Sequence, residues 1–274
     1  MQTENYFYKT NAKMQSTKPN EDDKFINQFI SKDFSESENT GSEKESKKDG
    51  ADILTKDNAA MINDFGQDQN LYRSGILPIS IIGEVEGHME LSSDRKTTKY
   101  EHIIPLILEA EENSKIKGVL LILNTLGGDV EAGLAISELI SGITKPTVSL
   151  VLGGGHSIGV PLSICCDYTF IAPTATMTIH PVRMNGLVIG VMQSFDYFKR
   201  MQERIIGFAV EHSNITHDEF NSLMLNTKEL LNDVGSILVG EDAVNVGLIN
   251  EVGTIRNALD KLKELMEEQT KKDS

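Results

Sequence analysis

The chain has 274 residues, 39% of them hydrophobic, which allows one domain with a proper core and leaves a segment to spare. A net charge of −15 and a pI near 4.8 give a surface that repels phosphate backbones, which argues against nucleic acid as a partner. The two cysteines, Cys165 and Cys166, adjoin in one apolar stretch and are poorly placed to pair, so they read as packing residues in a reducing compartment; no CxxC or Cys/His cluster points to a metal.

Residues 1–70 are polar and charged, and residues 35–50 contain no apolar side chain. Such a segment cannot bury enough surface to offset its ordering entropy, so it is expected to be a disordered tail ahead of a folded domain over residues 71–270. The first residues lack the basic start and apolar run of a secretory signal. No uninterrupted apolar run approaches the roughly 18 residues that span a bilayer. The expectation is a soluble, cytoplasmic protein with no membrane span.

Order is expected from Gly75. Residues 76–82 read as a strand ended by Gly83, and 84–100 as a polar loop. Residues 100–114 read as a helix with Ile103, Ile104, Ile107, Leu108 and Ala110 on one side. The run 118–124 is continuously apolar, as in a strand covered on both faces. It enters a turn in which Gly127 and Gly128 free the backbone to aim N–H groups at a ligand. A helix over 130–143 follows, stopped by Lys145-Pro146.

Residues 147–152 are a β-branched apolar run broken by Gly153, Gly154 and Gly155. Ser157 comes next, and then helical apolar spacing. A hydroxyl where a buried strand turns into a helix suits an activated nucleophile, because the helix start offers unpaired N–H groups to an oxyanion. The same position equally suits a helix cap. Two strand–glycine–helix units in succession imply right-handed crossovers and a largely parallel sheet, with ligands at the carboxyl ends of its strands. Both glycine turns fall at that edge.

Strands over 167–173 and 175–180 follow, and the second delivers His180. A long helix then carries Val191, Phe195, Phe198, Ile205 and Ala209. Thr216-His-Asp-Glu219 forms a capping box, 241–246 a short helix, 248–252 a strand and 255–269 a closing amphipathic helix. An acyl-transfer serine needs a base, an oxyanion hole and usually a carboxylate. His180, at a strand end, is the best-placed base; His156 adjoins Ser157 and is expected to point elsewhere.

Four stretches, 124–130, 155–159, 177–181 and 241–249, occur in the order found in the Clp protease proteolytic subunit family, which the chain resembles over roughly residues 76–260. Within it, the Ile179-His-Pro-Val-Arg-Met-Asn-Gly186 stretch is most similar to the translocation-enhancing branch. The resemblance implies a serine peptidase of the crotonase-like spiral α/β fold, with flanking helices around a mostly parallel sheet. It implies Ser157 as nucleophile, His180 as general base and the backbone N–H groups of Gly128 and Ile158 as oxyanion hole. It implies a homo-oligomeric ring, with the helix near 191–210 interlocking two such rings stacked on each other, a peptide or preprotein substrate, and a separate ATPase if unfolding is needed; no cofactor or metal is implied. Gly235 falls where the family carries its catalytic aspartate. Asp233, two residues earlier, is the carboxylate expected to reach His180, with Asp196 and Asp218 as alternatives. A crotonase-like acyl-CoA enzyme and a catalytically silent scaffold are the competing functions.

Overall fold

The structure, a computed structural model, describes residues 74–183, 190–228 and 234–272. The expected disordered tail, residues 1–70, lies outside them. Among the described residues the chain is mixed α/β, with a mostly parallel sheet and flanking helices.

Strand β1 (Ile76–Glu86) is followed by the short β2 (Thr97–Lys99), helix α1 (Tyr100–Glu112) and β3 (Gly118–Gly128). Strand β1 runs on past Gly83, where the sequence suggested it would end, because a register shift between Gly83 and Glu84 absorbs the irregularity and pairing with β3 resumes. Helix α2 (Val130–Ser141) starts at Asp129, whose side chain accepts from the Ala132 N–H at 2.8 Å. Strand β4 (Thr147–Gly155) contains the three glycines expected to break it; a second register shift, between Leu123 and Thr125 of β3, keeps Gly155 paired with Thr125. Then come α3 (Gly159–Ile164), β5 (Tyr168–Ile171) and β6 (Thr176–Ile179). The C-terminal part supplies α4 (Val191–Glu211), α5 (His217–Met224), β7 (Ser236–Val239), α6 (Glu241–Asn245), β8 (Glu251–Val252) and α7 (Ile255–Lys272).

The sheet order is β2-β1-β3-β4-β5-β8, and every neighbouring pair is parallel. Strand β6 leaves this path: it meets β4 at Gly154 and Thr176, and β7 runs antiparallel along its other side. The β3 sequence shows why the sheet is covered twice. Val119, Leu121 and Leu123 enter the larger core, with Ile103 and Ile107 of α1 and Ile136 and Ile140 of α2. Leu120, between them in register, faces the opposite way and packs with Val148, Leu150, Phe170 and with Ala258 and Leu262 of α7. Truncating a fully buried residue such as Leu121 to alanine costs about 2–5 kcal/mol. Cys165 and Cys166 are free thiols, both buried; burial raises the Cys165 pKa well above its ordinary value. Among the described residues no helix is long and apolar enough to cross a membrane.

Candidate active site

The parallel strands β3 and β4 end side by side, and the site is built on that edge. Ser157 sits between β4 and α3 with a φ of 57°, the one non-glycine residue in the left-handed region among those described. An L-residue there costs about 1–2 kcal/mol, so its neighbours must hold it. They do so from both sides. The His156 N–H donates to the Thr125 carbonyl at 3.2 Å, and the Ser157 N–H to the Thr178 carbonyl at 2.8 Å. The chain then winds directly into helix, Gly159 donating to the His156 carbonyl at 2.8 Å and Val160 to the Ser157 carbonyl at 3.0 Å.

Gly127 packs against this turn. A Cβ placed on it would lie 2.7 Å from the Ser157 Cβ, and its φ of 95° belongs to glycine. Thr125 braces the same corner: its hydroxyl donates to the Gly83 carbonyl at 2.6 Å and accepts from the Gly127 N–H at 3.1 Å. Ile158, one residue after the serine, precedes the first turn of α3, where helix geometry leaves N–H groups without intrahelical partners.

Strand β6 delivers His180 immediately after Ile179. Its Nδ1 lies 2.8 Å from the Pro181 carbonyl. A carbonyl has no proton to give, so in this bond Nδ1 carries the hydrogen, which in a neutral imidazole leaves the lone pair on Nε2. That is the tautomer a general base needs. Strand β7, which the sequence reading did not anticipate, closes the other side. Ser236 pairs with Ile179, and Gly235 (φ 138°) abuts His180 so closely that a Cβ on it would be 2.9 Å from the His180 Cβ. The position that faces His180 thus carries no side chain at all. Asp233, expected to supply the carboxylate, lies outside the described residues. Asp196 is in α4 and Asp218 in α5; neither lines the cavity described next.

Ser157, Ile158, Gly128 and His180 line one cavity of about 120 Å³. Val130, Val160, Ile179, Val182, Ile205, Phe220 and Met224 give it apolar walls, and Arg183 stands at its exposed side. Phe220 and Met224 come from α5, a helix to which the sequence assigned no place at the site. Helix α4 contributes Ile205. The residue before it, Arg204, grips Glu131 of α2 through two nitrogens at 2.7 and 3.0 Å. His156 turns away from the cavity, as expected: its Nδ1 is 2.8 Å from the Thr178 hydroxyl. Burial lowers its pKa, and the nearby His180 lowers it further. Among the described residues no group of three or more His, Cys, Asp or Glu is arranged to hold a metal ion.

A strained serine at a strand-to-helix turn, beside a histidine with Nε2 available and two glycine-opened backbone turns, has the makings of an acyl-transfer site. Comparison with known proteins agrees on the class. The Clp protease family model matches residues 80–256, and the chain belongs to that family. It is 57% identical over 197 residues to the translocation-enhancing protein TepA of Halalkalibacterium halodurans, covering 72% of this chain and 77% of that one. It is 31% identical over 108 residues to the ATP-dependent Clp protease proteolytic subunit 1 of Chlamydia pneumoniae, covering 37% of this chain and 56% of that one. The corresponding subunit of Protochlamydia amoebophila is 27% identical over 139 residues, half of this chain.

Proposed function

We propose that the chain is an ATP-independent serine peptidase that cleaves peptides or unfolded segments. Ser157 is the nucleophile, His180 the general base, and the N–H groups of Gly128 and Ile158 the oxyanion hole. The observation that carries this reading is the left-handed conformation of Ser157 in a cavity it shares with those three residues. Nε2 of His180 takes the hydroxyl proton as Oγ attacks the scissile carbonyl. The carbonyl oxygen becomes negative, and the two backbone N–H groups stabilise it. Collapse breaks the C–N bond, and His180 returns the proton to the leaving amine. Water, deprotonated by the same imidazole, then releases the acyl group.

The Pro181 carbonyl holds the imidazole in the required tautomer. We assign Asp233, two residues ahead of the Gly235 that abuts His180, to supply the charged acceptor that stabilises the imidazolium. The apolar cavity walls suit a hydrophobic side chain next to the scissile bond. The residues Val191, Met192, Phe195 and Tyr197 are exposed large side chains on α4, which supports homo-oligomeric rings stacked and interlocked through that helix. The chain contains no Gly-x-x-x-x-Gly-Lys-Ser/Thr motif, so unfolding of a substrate falls to a separate ATPase. The name of the Halalkalibacterium relative supports a role linked to preprotein export, such as clearing signal peptides in the cytoplasm. Residues 1–70 form a tail outside the peptidase domain of residues 71–270.

Peptide hydrolysis tests this. Ser157→Ala and His180→Ala are each expected to abolish it while the oligomer keeps its size on gel filtration. Hydrolysis retained by either variant removes the site assignment. Turnover of an acyl-CoA thioester with no peptide hydrolysis supports the crotonase-like alternative. A Ser157→Ala strain that loses no function supports the scaffold.

A further inference from the structure

We propose that His156 is a positioning residue of this site: its imidazole fixes the strand that delivers His180 against the turn that delivers Ser157. The inference rests on the peptidase reading and adds a residue which that reading leaves idle.

The two reacting side chains come from different strands, and those strands are poorly stitched. Backbone register pairs β4 with β5 at four positions, but β4 with β6 only at Gly154 and Thr176. Strand β7 pairs with β6 along its other edge, but on the β4 side the register of β6 rests on this single pair, and His180 rides on its end. The imidazole of His156 crosses that seam. Its Nδ1 meets the Thr178 hydroxyl at 2.8 Å, and its Nε2 lies 3.5 Å from the Thr176 hydroxyl, a long contact that contributes less. Both threonines sit on the base's strand. Thr178 is also the residue whose carbonyl accepts the Ser157 N–H at 2.8 Å. Two consecutive residues of the nucleophile turn therefore grip one residue of β6, from its side chain and from its backbone. His180 follows two residues later, so a displacement of Thr178 is passed to it directly.

The grip is stiff at its own end. The His156 N–H is bonded to the Thr125 carbonyl, and the His156 carbonyl accepts from Gly159. The ring also lies over Gly154, where a Cβ would come within 2.7 Å of Nε2. Half-burial disfavours the charged ring, and a neutral imidazole has a donor on one nitrogen and an acceptor on the other, which matches hydroxyl partners that can both give and take. An asparagine at this position places a polar atom where Nδ1 stands and can keep the Thr178 bond; a leucine cannot.

The test is a set of variants at the two ends of this bond, read by peptide kinetics, by the rate of fluorophosphonate labelling at Ser157, and by melting temperature. His156→Leu is expected to lower kcat at least about tenfold with KM nearly unchanged, since the cavity walls are intact and only the alignment of the reacting groups suffers. The labelling rate should fall in parallel. His156→Asn should recover most of the loss, whereas a structural role of bulk alone would favour leucine. Thr178→Val, close in shape but without the hydroxyl, should reproduce the leucine defect, and the double variant should be no worse than either single one. If His156→Leu fails to fold, Thr178→Val against Thr178→Ser decides the same question. Unchanged kcat in His156→Leu, no recovery in His156→Asn, or losses that multiply in the double variant overturn the positioning role alone. A wild-type protein that never labels at Ser157 overturns the peptidase reading and this role together.

Discussion

Gly127→Ala is a sharp probe of the site because the added methyl has nowhere to go. It would stand 2.7 Å from the Ser157 Cβ, 2.8 Å from the His156 carbonyl oxygen and 3.3 Å from the Ser157 Oγ. Carbon atoms rest at about 3.5–4.0 Å, so relief requires a movement of about 1 Å at the serine. A displacement of about 1 Å at a reacting group costs about 100-fold in rate. The φ of 95° adds a backbone cost of about 1–2 kcal/mol once a Cβ is present. The expected variant therefore folds, melts several degrees below the wild type and labels with fluorophosphonate about 100-fold more slowly, with peptide kcat/KM reduced alike. The assay is the second-order labelling rate measured beside a thermal melt. Labelling at the wild-type rate with an unchanged melt would show that Gly127 does not press on Ser157 and would refute the geometry argued here.

Other consequences follow from neighbouring residues. Gly235→Ala should cripple hydrolysis by driving β7 away from β6 and the His180 backbone, because its Cβ would lie 2.3 Å from the Ile179 carbonyl oxygen; activity close to wild type would contradict the β6–β7 placement. Asp233→Asn should lower kcat more than it raises KM, and kinetics indistinguishable from wild type would leave the Pro181 carbonyl as the sole orienting group. His156 gives a pH dependence of stability. Its folded pKa lies below the ordinary 6.5, so as pH falls the unfolded chain takes up the proton first and stability is lost below about pH 6.5. The melting temperature of the wild type should accordingly drop more steeply between about pH 7 and 5 than that of His156→Asn, and parallel curves would contradict it. Deleting residues 1–65 should leave the melt of the remaining domain unchanged, and its collapse would overturn the division into tail and domain.

Much of this is legible in the sequence, because the governing signals are local. The continuous apolar run in β3, the paired glycines after it and the β-branched start of β4 each specify a strand entering a turn. The Thr216 cap forms as written, accepting from the Glu219 N–H at 3.2 Å. What was illegible depends on distant pairing. Strand β7 has two half-exposed residues, Ile237 and Val239, and exists because β6 offers it an edge; its four residues carry no period that marks them. Gly153–Gly155 read as a strand breaker, but a register shift against β3 keeps Gly155 in the sheet. Helix α4 carries Phe195 exposed and Phe208 buried, because only its later turns reach the core.

The site shows the same division. Ser157 and Gly128 announce themselves through glycine-rich turns, and His180 through its place at a strand end. Phe220, Met224 and the Pro181 carbonyl give no sequence sign of what they face. His156 was discounted as a base on the sound ground that adjacent residues point apart, and its link to Thr178 is visible only once β6 is laid beside the turn.

One measurement reaches the centre of the account: reaction of the full chain with a fluorophosphonate, followed by digestion and mass mapping of the adduct. The account predicts a single modification on Ser157, lost in Ser157→Ala and strongly slowed in His180→Ala. An adduct on another residue, or none in a protein that hydrolyses peptides, would contradict it.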